Sequence, residues 1–342
     1  MRQRLAGALA VISGLGLLIA GCGGNSTAAS SSGSKTVRLI QGGGLDFTDA
    51  AIYKAMALLK QRGYKVSLAN VADPTTALRA VLAGKEDVYL GAPVEAATAV
   101  GNGSAPVKYL ASLAQTSNYE IIALPRFTMH NLSGAKLATA GPGTAGQIVA
   151  VAALDKEGVN VGQIHQVTVG GTSARVTAIL AGQVDLAPVL APDAAAAAAT
   201  GKVKILLNAG SVLGNYLQQG LIASDSFAAS KGTAQATVNA FVDAERWAQA
   251  NQSGYISLAN ANGLKQGLTT SDEQQAWAAL KAGHFFAVNG AICTSAINQT
   301  LGYSYSSGGG LTKATTPKLS EWVNSAYVNS YLKAHGQSAG TC

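Results

Sequence analysis

The sequence is poor in charged residues, and it lacks the concentrated charge and the long apolar runs that define some classes of protein. Charged residues make up 12% of the chain and hydrophobic residues 48%, a balance typical of a globular protein rather than a disordered one. The 24 basic and 17 acidic side chains are scattered, without the lysine- and arginine-rich blocks typical of nucleic-acid binding. No apolar run after residue 22 approaches the length of a membrane span. We therefore expect a folded protein that does not bind nucleic acid.

Histidine and cysteine are also scarce, and their spacing predicts neither a metal site nor a bound cofactor. The four histidines are dispersed: His130, His165, His284 and His335. Neither Cys293 nor Cys342 has a histidine at ligand spacing, so a metal centre is not expected. In an oxidising compartment these two cysteines predict a disulfide worth about 2–4 kcal/mol.

The N-terminal segment predicts export and a lipid anchor. Arg2 and Arg4 precede an apolar run that ends in Gly21-Cys22, a pattern typical of a bacterial lipoprotein signal peptide over residues 1–21. Cys22 would then be acylated, and the Ser- and Gly-rich residues 22–34 would form a flexible tether. An ordinary secretory signal is the alternative. We expect the folded part on the extracytoplasmic face of the cell membrane.

A weak internal repeat predicts the architecture. Residues 80–88 (Ala-Val-Leu-Ala-Gly-Lys-Glu-Asp-Val) recur at 178–186 as Ala-Ile-Leu-Ala-Gly-Gln-Val-Asp-Leu, an offset of 98 residues. At the same offset, strand-like runs, glycine turns and helix starts coincide in the same order. Each copy therefore predicts a βαβαβ unit with a parallel sheet.

Extended segments at 119–125 and 216–224 predict two crossings between the copies. We predict an α/β protein of two lobes, each a doubly wound mixed sheet with helices on both faces, joined by a two-strand hinge. Residues 35–124 plus 222–342 would form the first lobe and residues 125–221 the second. Further helices are predicted at 234–252, 271–281 and 319–335, with a loop at 304–310.

Ligands of such sheets bind where parallel strands end and helices begin, so we place the candidate contacts in those turns. The segment 141–146 matches G-x-G-x-x-G, but the next strand does not end in an acidic residue and Pro142 removes an amide, which argues against a nucleotide. A small anionic or polar group is expected there instead. For the hydroxyls and acids, helix capping is the alternative function. The candidate ligand contacts are Gly43, Gly44, Asp46, Phe47, Thr75, Pro93, Thr144, Ala145, Thr172, Ser173, Asp193 and Tyr216.

Several segments together resemble a known family. Leu78–Asp87, Leu132–Gly146 and Ser173–Asp185, with the lipoprotein signal, resemble the substrate-binding lipoproteins of ABC importers of the nitrate/sulfonate/taurine type. The resemblance implies a periplasmic-binding-protein type II fold and capture of a small polar or anionic organic solute without a reaction. It also implies a monomer with an ABC permease and an ATPase as partners.

The first turn departs from the pattern of that family. Leu45-Asp46-Phe47-Thr48 replaces a segment that contains tyrosine and proline, so an amine or the N–H of a heterocycle is an alternative ligand. The alternative functions are a binding protein or an enzyme of the same fold that is related to pyrimidine precursors, or a ligand-sensing surface lipoprotein. The predicted turns contain no histidine, and the chain has no G-x-S-x-G elbow, so we expect no catalytic residues.

Overall fold

The computed structural model describes residues 35–265, 267–308 and 310–340. The predicted signal peptide, the acylated Cys22 and the tether fall outside these residues, as does Cys342. The lipid anchor and the Cys293–Cys342 disulfide therefore stay predictions. No helix in the described ranges is both long and apolar enough to cross a membrane.

Within the described residues, ten strands form two mixed sheets. The first sheet contains β1 (Thr36–Gly42), β2 (Lys65–Val71), β3 (Val88–Gly91), β4 (Val107–Thr116) and β10 (Asn215–Ser224), in the order β2-β1-β3-β10-β4. The second sheet contains β5 (Tyr119–Ala123), β6 (Lys136–Thr139), β7 (His165–Thr168), β8 (Leu186–Leu190) and β9 (Lys204–Asn208), in the order β7-β6-β8-β5-β9.

Helices surround the two sheets, which confirms the predicted two-lobe α/β fold. The helices that follow the strands of the first copy are α1 (Ala50–Gln61), α2 (Pro74–Leu82) and α3 (Pro93–Gly103). Those of the second copy are α4 (Ala145–Lys156), α5 (Thr172–Leu180) and α6 (Ala191–Ala199). The later helices are α7 (Ala209–Leu213), α8 (Asp225–Ala229), α9 (Lys231–Ala250), α10 (Gln252–Ala261), α11 (Thr270–Ala282), α12 (Thr294–Ser306), α13 (Leu319–Trp322) and α14 (Ala326–Ala334).

Strand pairing confirms that the sequence repeat is a structural repeat. In the first sheet β1 pairs in parallel with β2 and β3, and in the second β6 pairs in parallel with β7 and β8. In each sheet one antiparallel strand follows a crossing and lies beside the third parallel strand: β10 beside β3, and β5 beside β8. Each copy is therefore a βαβαβ unit completed by a strand from a crossing.

The spacing from glycine to aspartate that the two copies share has a local physical cause. Gly84 and Gly182, which follow α2 and α5, both have a φ of 69°, a left-handed conformation that costs glycine little. Three residues later, the carboxylate of Asp87 accepts the backbone N–H of Arg38 at 2.8 Å, and that of Asp185 accepts the N–H of Lys136 at 2.8 Å. The glycine ends the helix and the aspartate fixes the next strand beside the first.

The crossings differ from the predicted lobe boundaries by a few residues. β5 pairs within the second sheet, although the prediction places residues 119–124 in the first lobe. β10 pairs within the first sheet from Asn215 onward, although the prediction places residues up to 221 in the second lobe. The two crossing segments contact each other, because the side chain of Gln218 accepts the N–H of Asn118 at 2.8 Å and donates to its side-chain oxygen. The lobes are called first and second below according to their sheets.

Two predictions for the C-terminal part were wrong. The helix expected over 319–335 is interrupted, because Val323 forms an isolated parallel bridge with Tyr109 in β4 and Asn324 donates to the carbonyl of Tyr109 at 3.0 Å. The loop expected at 304–310 begins later, since α12 continues to Ser306. Trp322 is fully buried and Trp277 is also a core residue.

Candidate functional site

A cavity of about 70 Å³ lies between the two lobes, at the carboxyl ends of the parallel strands of both sheets. The first lobe contributes the turns after β1 and β3, and the second contributes the turns after β6 and β7. Since a buried water needs about 10–15 Å³ of such volume, the cavity has room for a molecule of a few heavy atoms. This is the position at which open α/β sheets bind ligands.

The structure brings some of the predicted contacts to this cavity and leaves others away from it. The predicted residues on its wall are Gly43, Gly44, Thr144, Ala145 and Thr172. The predicted residues that do not line it are Asp46, Phe47, Thr75, Pro93, Ser173, Asp193 and Tyr216.

Asp46 caps the short 3-10 helix Phe47–Asp49 that precedes α1. Its Oδ1 accepts the backbone N–H of Thr48 at 2.7 Å and the Thr48 hydroxyl at 2.6 Å. Its own N–H donates to Oδ2 of Asp49 at 3.0 Å, which completes a capping box. The Oδ2 of Asp46 is buried without a hydrogen-bond partner among the described residues. Asp46 thus has the capping function, and it positions Thr48 and Asp49 on the cavity wall.

Three other predicted contacts are packing residues. The ring of Phe47 packs edge-on against Tyr255, with the centroids 5.3 Å apart, and its carbonyl accepts the Tyr255 hydroxyl at 2.8 Å. Tyr216 is fully buried, with its ring 6.2 Å from that of Tyr303. Pro93 is the buried first residue of α3.

The predicted hydroxyls at the starts of α2 and α5 differ in position. Thr75 is exposed, and its N–H donates to the capping side chain of Asp73 at 3.3 Å. Ser173 is also exposed, whereas its neighbour Thr172 is buried and accepts a hydrogen bond from Arg175 at 3.1 Å. Only the buried member of this pair lines the cavity.

The charged and amide side chains on the wall were all absent from the predicted set. These are Gln41, Asp49, Glu95, Arg175, Gln218 and Gln219, accompanied by Tyr89 and Tyr119. Arg175 had a sequence signal, because it occupies the position that corresponds to Ala77 in the first copy, on the buried face of the helix. The others lie within strands or first helical turns, where capping or packing explains them equally well.

Asp49 is a buried carboxylate beside a second acid. Its Oδ1 accepts the side-chain amide of Gln219 from β10 at 3.0 Å, and its Oδ2 accepts the N–H of Asp46. Burial, together with the negative charge of Asp46, raises the pKa of Asp49 to about 7. This carboxyl group therefore changes its charge close to neutral pH.

Glu95 links the two lobes. Its Oε2 accepts the Tyr89 hydroxyl at 2.8 Å and the N–H of Ala92 at 3.1 Å, both from the first lobe. Its Oε1 lies 3.5 Å from the N–H of Ala145, the first residue of α4 in the second lobe. Burial raises the pKa of Glu95, and the hydrogen bonds from Tyr89, Ala92 and Ala145 oppose that rise. The N-terminal end of α4 thus faces a carboxylate of the protein itself.

Arg175 is the basic side chain on the wall, and protein groups surround its guanidinium. It donates from Nε to the carbonyl of Pro188 at 2.8 Å, from Nη1 to that of Gly170 at 2.6 Å, and from Nη2 to the Thr172 hydroxyl. The phenol of Tyr119 also interacts with it. Burial lowers the pKa of Arg175, although a guanidinium stays charged at neutral pH. Arg175 therefore fixes the β7–α5 turn against β8.

Asp193, the counterpart of Glu95 in the repeat, lies near these groups but off the wall. Burial and the negative charge of Asp46 raise its pKa to about 6, while the positive charge of Arg175 opposes that rise. Acidic groups of both lobes thus interact electrostatically across the region between them.

The two lobes contact each other at Gly171. A Cβ atom on this residue would lie 2.4 Å from the carbonyl oxygen of Ala72 and 3.3 Å from that of Gly43, both in the first lobe. The backbone of Gly171 has a φ of −63° and a ψ of 172°, which any residue adopts, so the contact alone requires glycine here. The structure is therefore one in which the lobes are closed over the cavity.

The chemistry available at the cavity is that of hydrogen bonding and charge. Among the described residues that line it, none is histidine, cysteine or serine. The described residues also contain no cluster of three or more His, Cys, Asp or Glu side chains that could hold a metal ion. The polar side chains of the described wall residues are carboxylates, amides, hydroxyls and one guanidinium, and glycines and apolar residues complete the wall.

A family model of NMT1/THI5-like proteins matches residues 50–253, more than half of the sequence and parts of both lobes. The chain belongs to the NMT1/THI5-like family. This NMT1/THI5-like chain has no significant match among the curated proteins.

Solved structures share the fold of this NMT1/THI5-like protein. A ligand-binding component of an ABC-type import system from Staphylococcus aureus, with zinc bound, has a TM-score of 0.71 and 14% identity, covering 86% of this chain and 97% of that one. The alkanesulfonate-binding protein SsuA from Xanthomonas axonopodis pv. citri, bound to MOPS, has a TM-score of 0.66 and 19% identity, covering 85% and 99%. The desulfurization enzyme DszB has a TM-score of 0.57 and 15% identity, covering 88% and 99%. The fold is thus shared by binding proteins and by an enzyme.

Proposed function

We propose that this protein is the solute-binding lipoprotein of an ABC importer, and that it captures a small polar solute in the cavity between its lobes. The observation that carries the proposal is the cavity itself, whose walls come from the strand ends of both lobes. A ligand in this position contacts both lobes only when they are closed. Binding then shifts the population toward the closed form, since a ligand favours the state in which it makes more contacts.

The proposal includes no chemical reaction. DszB has the same fold, so the fold by itself does not distinguish a receptor from an enzyme. The composition of the wall supports the receptor, because its described residues offer neither a histidine base nor a cysteine or serine nucleophile.

The proposal extends to the parts of the chain outside the described residues. Acylation of Cys22 would anchor the protein to the outer face of the membrane, and residues 22–34 would let it reach a permease that works with an ATPase. A disulfide between Cys342 and Cys293 would attach the C-terminus to the start of α12, because Cys293 is the residue before that helix. We propose that the receptor acts as a monomer.

The test is a thermal-shift screen of the full-length chain in mild detergent, followed by titration of any solute that raises the melting temperature. The probes are nitrate, alkanesulfonates, amines, guanidines and pyrimidines. The diagnostic variant is Gly171→Ala, which obstructs closure at the carbonyl of Ala72. We expect its affinity for the solute to fall tenfold or more, about 1.4 kcal/mol.

The matched control is Gly302→Ala in α12, where an added Cβ would meet no atom within 4 Å. Alanine at this exposed helical position stabilises the fold by up to about 1 kcal/mol and leaves affinity unchanged. A screen without a hit, or a hit whose affinity is the same in Gly171→Ala, contradicts the proposed receptor.

A further inference from the structure

The charge on the cavity wall is unbalanced toward the negative. The described residues that line the cavity include two acids, Asp49 and Glu95, and one base, Arg175. Two further acids lie close by: the charge of Asp46 raises the pKa of Asp49 and of Tyr119, and the charge of Asp193 raises the pKa of Arg175. The cavity wall therefore carries more acidic than basic side chains.

Arg175, the basic side chain on the wall, has few free N–H groups that could bind an anion. Three of its donor atoms, Nε, Nη1 and Nη2, already donate to Pro188, Gly170 and Thr172, and Tyr119 takes a further interaction. An anion would compete with buried protein acceptors for a guanidinium that has five N–H groups in total. Displacing those acceptors would leave buried carbonyl oxygens unpaired, which is unfavourable.

The other feature that could attract an anion is also occupied. The N-terminus of α4 carries partial positive charge and lies at the cavity, where the 141–146 segment predicts a small anionic or polar group. In the structure the nearest anion to its first N–H is Oε1 of Glu95, at 3.5 Å. A ligand anion at this point would lie against a carboxylate.

The acids, in contrast, have unused capacity to accept hydrogen bonds. An ionised carboxylate has about four acceptor sites. Asp49 accepts one bond on each oxygen, from Asp46 and Gln219. Oδ2 of the neighbouring Asp46, which does not line the cavity, is buried and has no hydrogen-bond partner among the described residues, while its Oδ1 accepts the hydroxyl of Thr48, which does line the cavity. The site has acceptors and negative charge in excess, and both are complementary to a cation that carries N–H groups.

We propose that the solute is a small organic cation with several N–H donors, of the amine, amidinium or guanidinium class, bound with Asp49 and Glu95 as its counter-ions. This inference rests on the proposed receptor function and specifies its ligand. Asp49 contacts the ligand from the first lobe alone, whereas Glu95 lies at the junction of the lobes. A cation between them offsets buried negative charge that otherwise destabilises the closed form.

Three probes of the same shape separate the effect of ligand charge from the effect of ligand size and shape. Guanidinium, urea and nitrate are all planar and trigonal and are similar in size, but they are positive, neutral and negative. Each is added at 1–20 mM to the full-length chain at pH 8, with sodium chloride at equal ionic strength as the reference. At 10 mM the denaturing effect of guanidinium is below about 0.1 kcal/mol, so it does not mask binding.

We expect guanidinium chloride to raise the melting temperature and urea and sodium nitrate to leave it at the reference value. The formal net charge of the chain is +7, which attracts anions nonspecifically, so a preference for the cation reports a local site. Asp49→Asn and Glu95→Gln should each weaken guanidinium binding tenfold or more. The control Asp155→Asn, at an exposed position near the end of α4, should leave binding unchanged.

Equal or greater stabilisation by nitrate or urea overturns the inference, and so does a guanidinium effect that persists in both cavity variants. The use of two variants keeps the test valid if one of them does not fold. A neutral or anionic solute that binds, and that loses affinity in Gly171→Ala, would refute the cation while leaving the receptor intact. The absence of any bound solute would refute both.

Discussion

The two copies of the repeat share their backbone framework but differ in chemistry. α2 and α5 occupy equivalent residues, 74–82 and 172–180, and each is followed by a left-handed glycine and a strand-fixing aspartate. The side chains in and around the cavity do not correspond. The first copy has Ala77 where the second has Arg175, and it has Asp46 where the second has Thr144.

This difference separates the residues that the fold requires in both lobes from the residues that are free to suit a ligand. Helix ends and strand starts need the same turn chemistry in both lobes, so those residues repeat. The cavity has two dissimilar walls, with acids in the first lobe and the guanidinium in the second. Three predictions below test this comparison, in addition to those for Gly171 and for the two cavity acids.

The largest expected effect is at Arg175, the basic residue that the first copy lacks. Arg175→Met should lower the free energy of unfolding by about 3 kcal/mol, because it leaves buried acceptors at Pro188, Gly170 and Thr172 unpaired. Urea denaturation measures the change. The control is Arg79→Met on the exposed face of α2, which should change stability by less than about 0.5 kcal/mol. A loss below 1 kcal/mol at Arg175 would mean that its buried contacts stabilise little.

The next largest effect, the loss of stability when the strand-fixing aspartate is replaced, should be equal in the two copies. Asp87→Ala and Asp185→Ala each remove a carboxylate that accepts a backbone N–H at 2.8 Å and pairs with an arginine, Arg38 or Arg126. Each variant should lose about 1–2 kcal/mol of unfolding free energy in urea. If one loses several times more than the other, the two aspartates do not have the same structural function.

The smallest effect is a pH dependence at Asp193. The folded state raises the pKa of Asp193 to about 6, so it binds the proton more tightly than the unfolded chain does. The stability contributed by this protonated group is therefore present at low pH and is lost as pH rises through about 6. Because Asn does not titrate, the free energy of unfolding of Asp193→Asn should rise relative to that of the wild type as pH increases over that range. The rise should be at most about 1 kcal/mol, since the group is partly exposed. A difference that stays constant between pH 4 and pH 8 would contradict this.

Sequence reasoning predicted the framework because glycines, caps and apolar runs act locally. It was wrong over 319–335 because the pairing of Val323 with Tyr109 is a tertiary contact that helical periodicity does not show. At the site, sequence reasoning predicted the turns that line the cavity but not the charged side chains, Asp49, Glu95 and Arg175. Asp46, the predicted contact, has its carboxylate turned to cap a helix, and Glu95 accepts a capping bond from Ala92 while also reaching the other lobe. Both are acids at helix starts, and the sequence alone does not show which one lines a cavity.

The central claim is that one solute contacts both lobes and closes them. Hydrogen–deuterium exchange of the full-length chain, with and without the solute found by the screen, measures this directly. We expect slower exchange at residues 42–49 of the first lobe and at 141–147 and 170–175 of the second, with α11 unchanged as an internal reference. Protection in one lobe alone, or in neither, would contradict it.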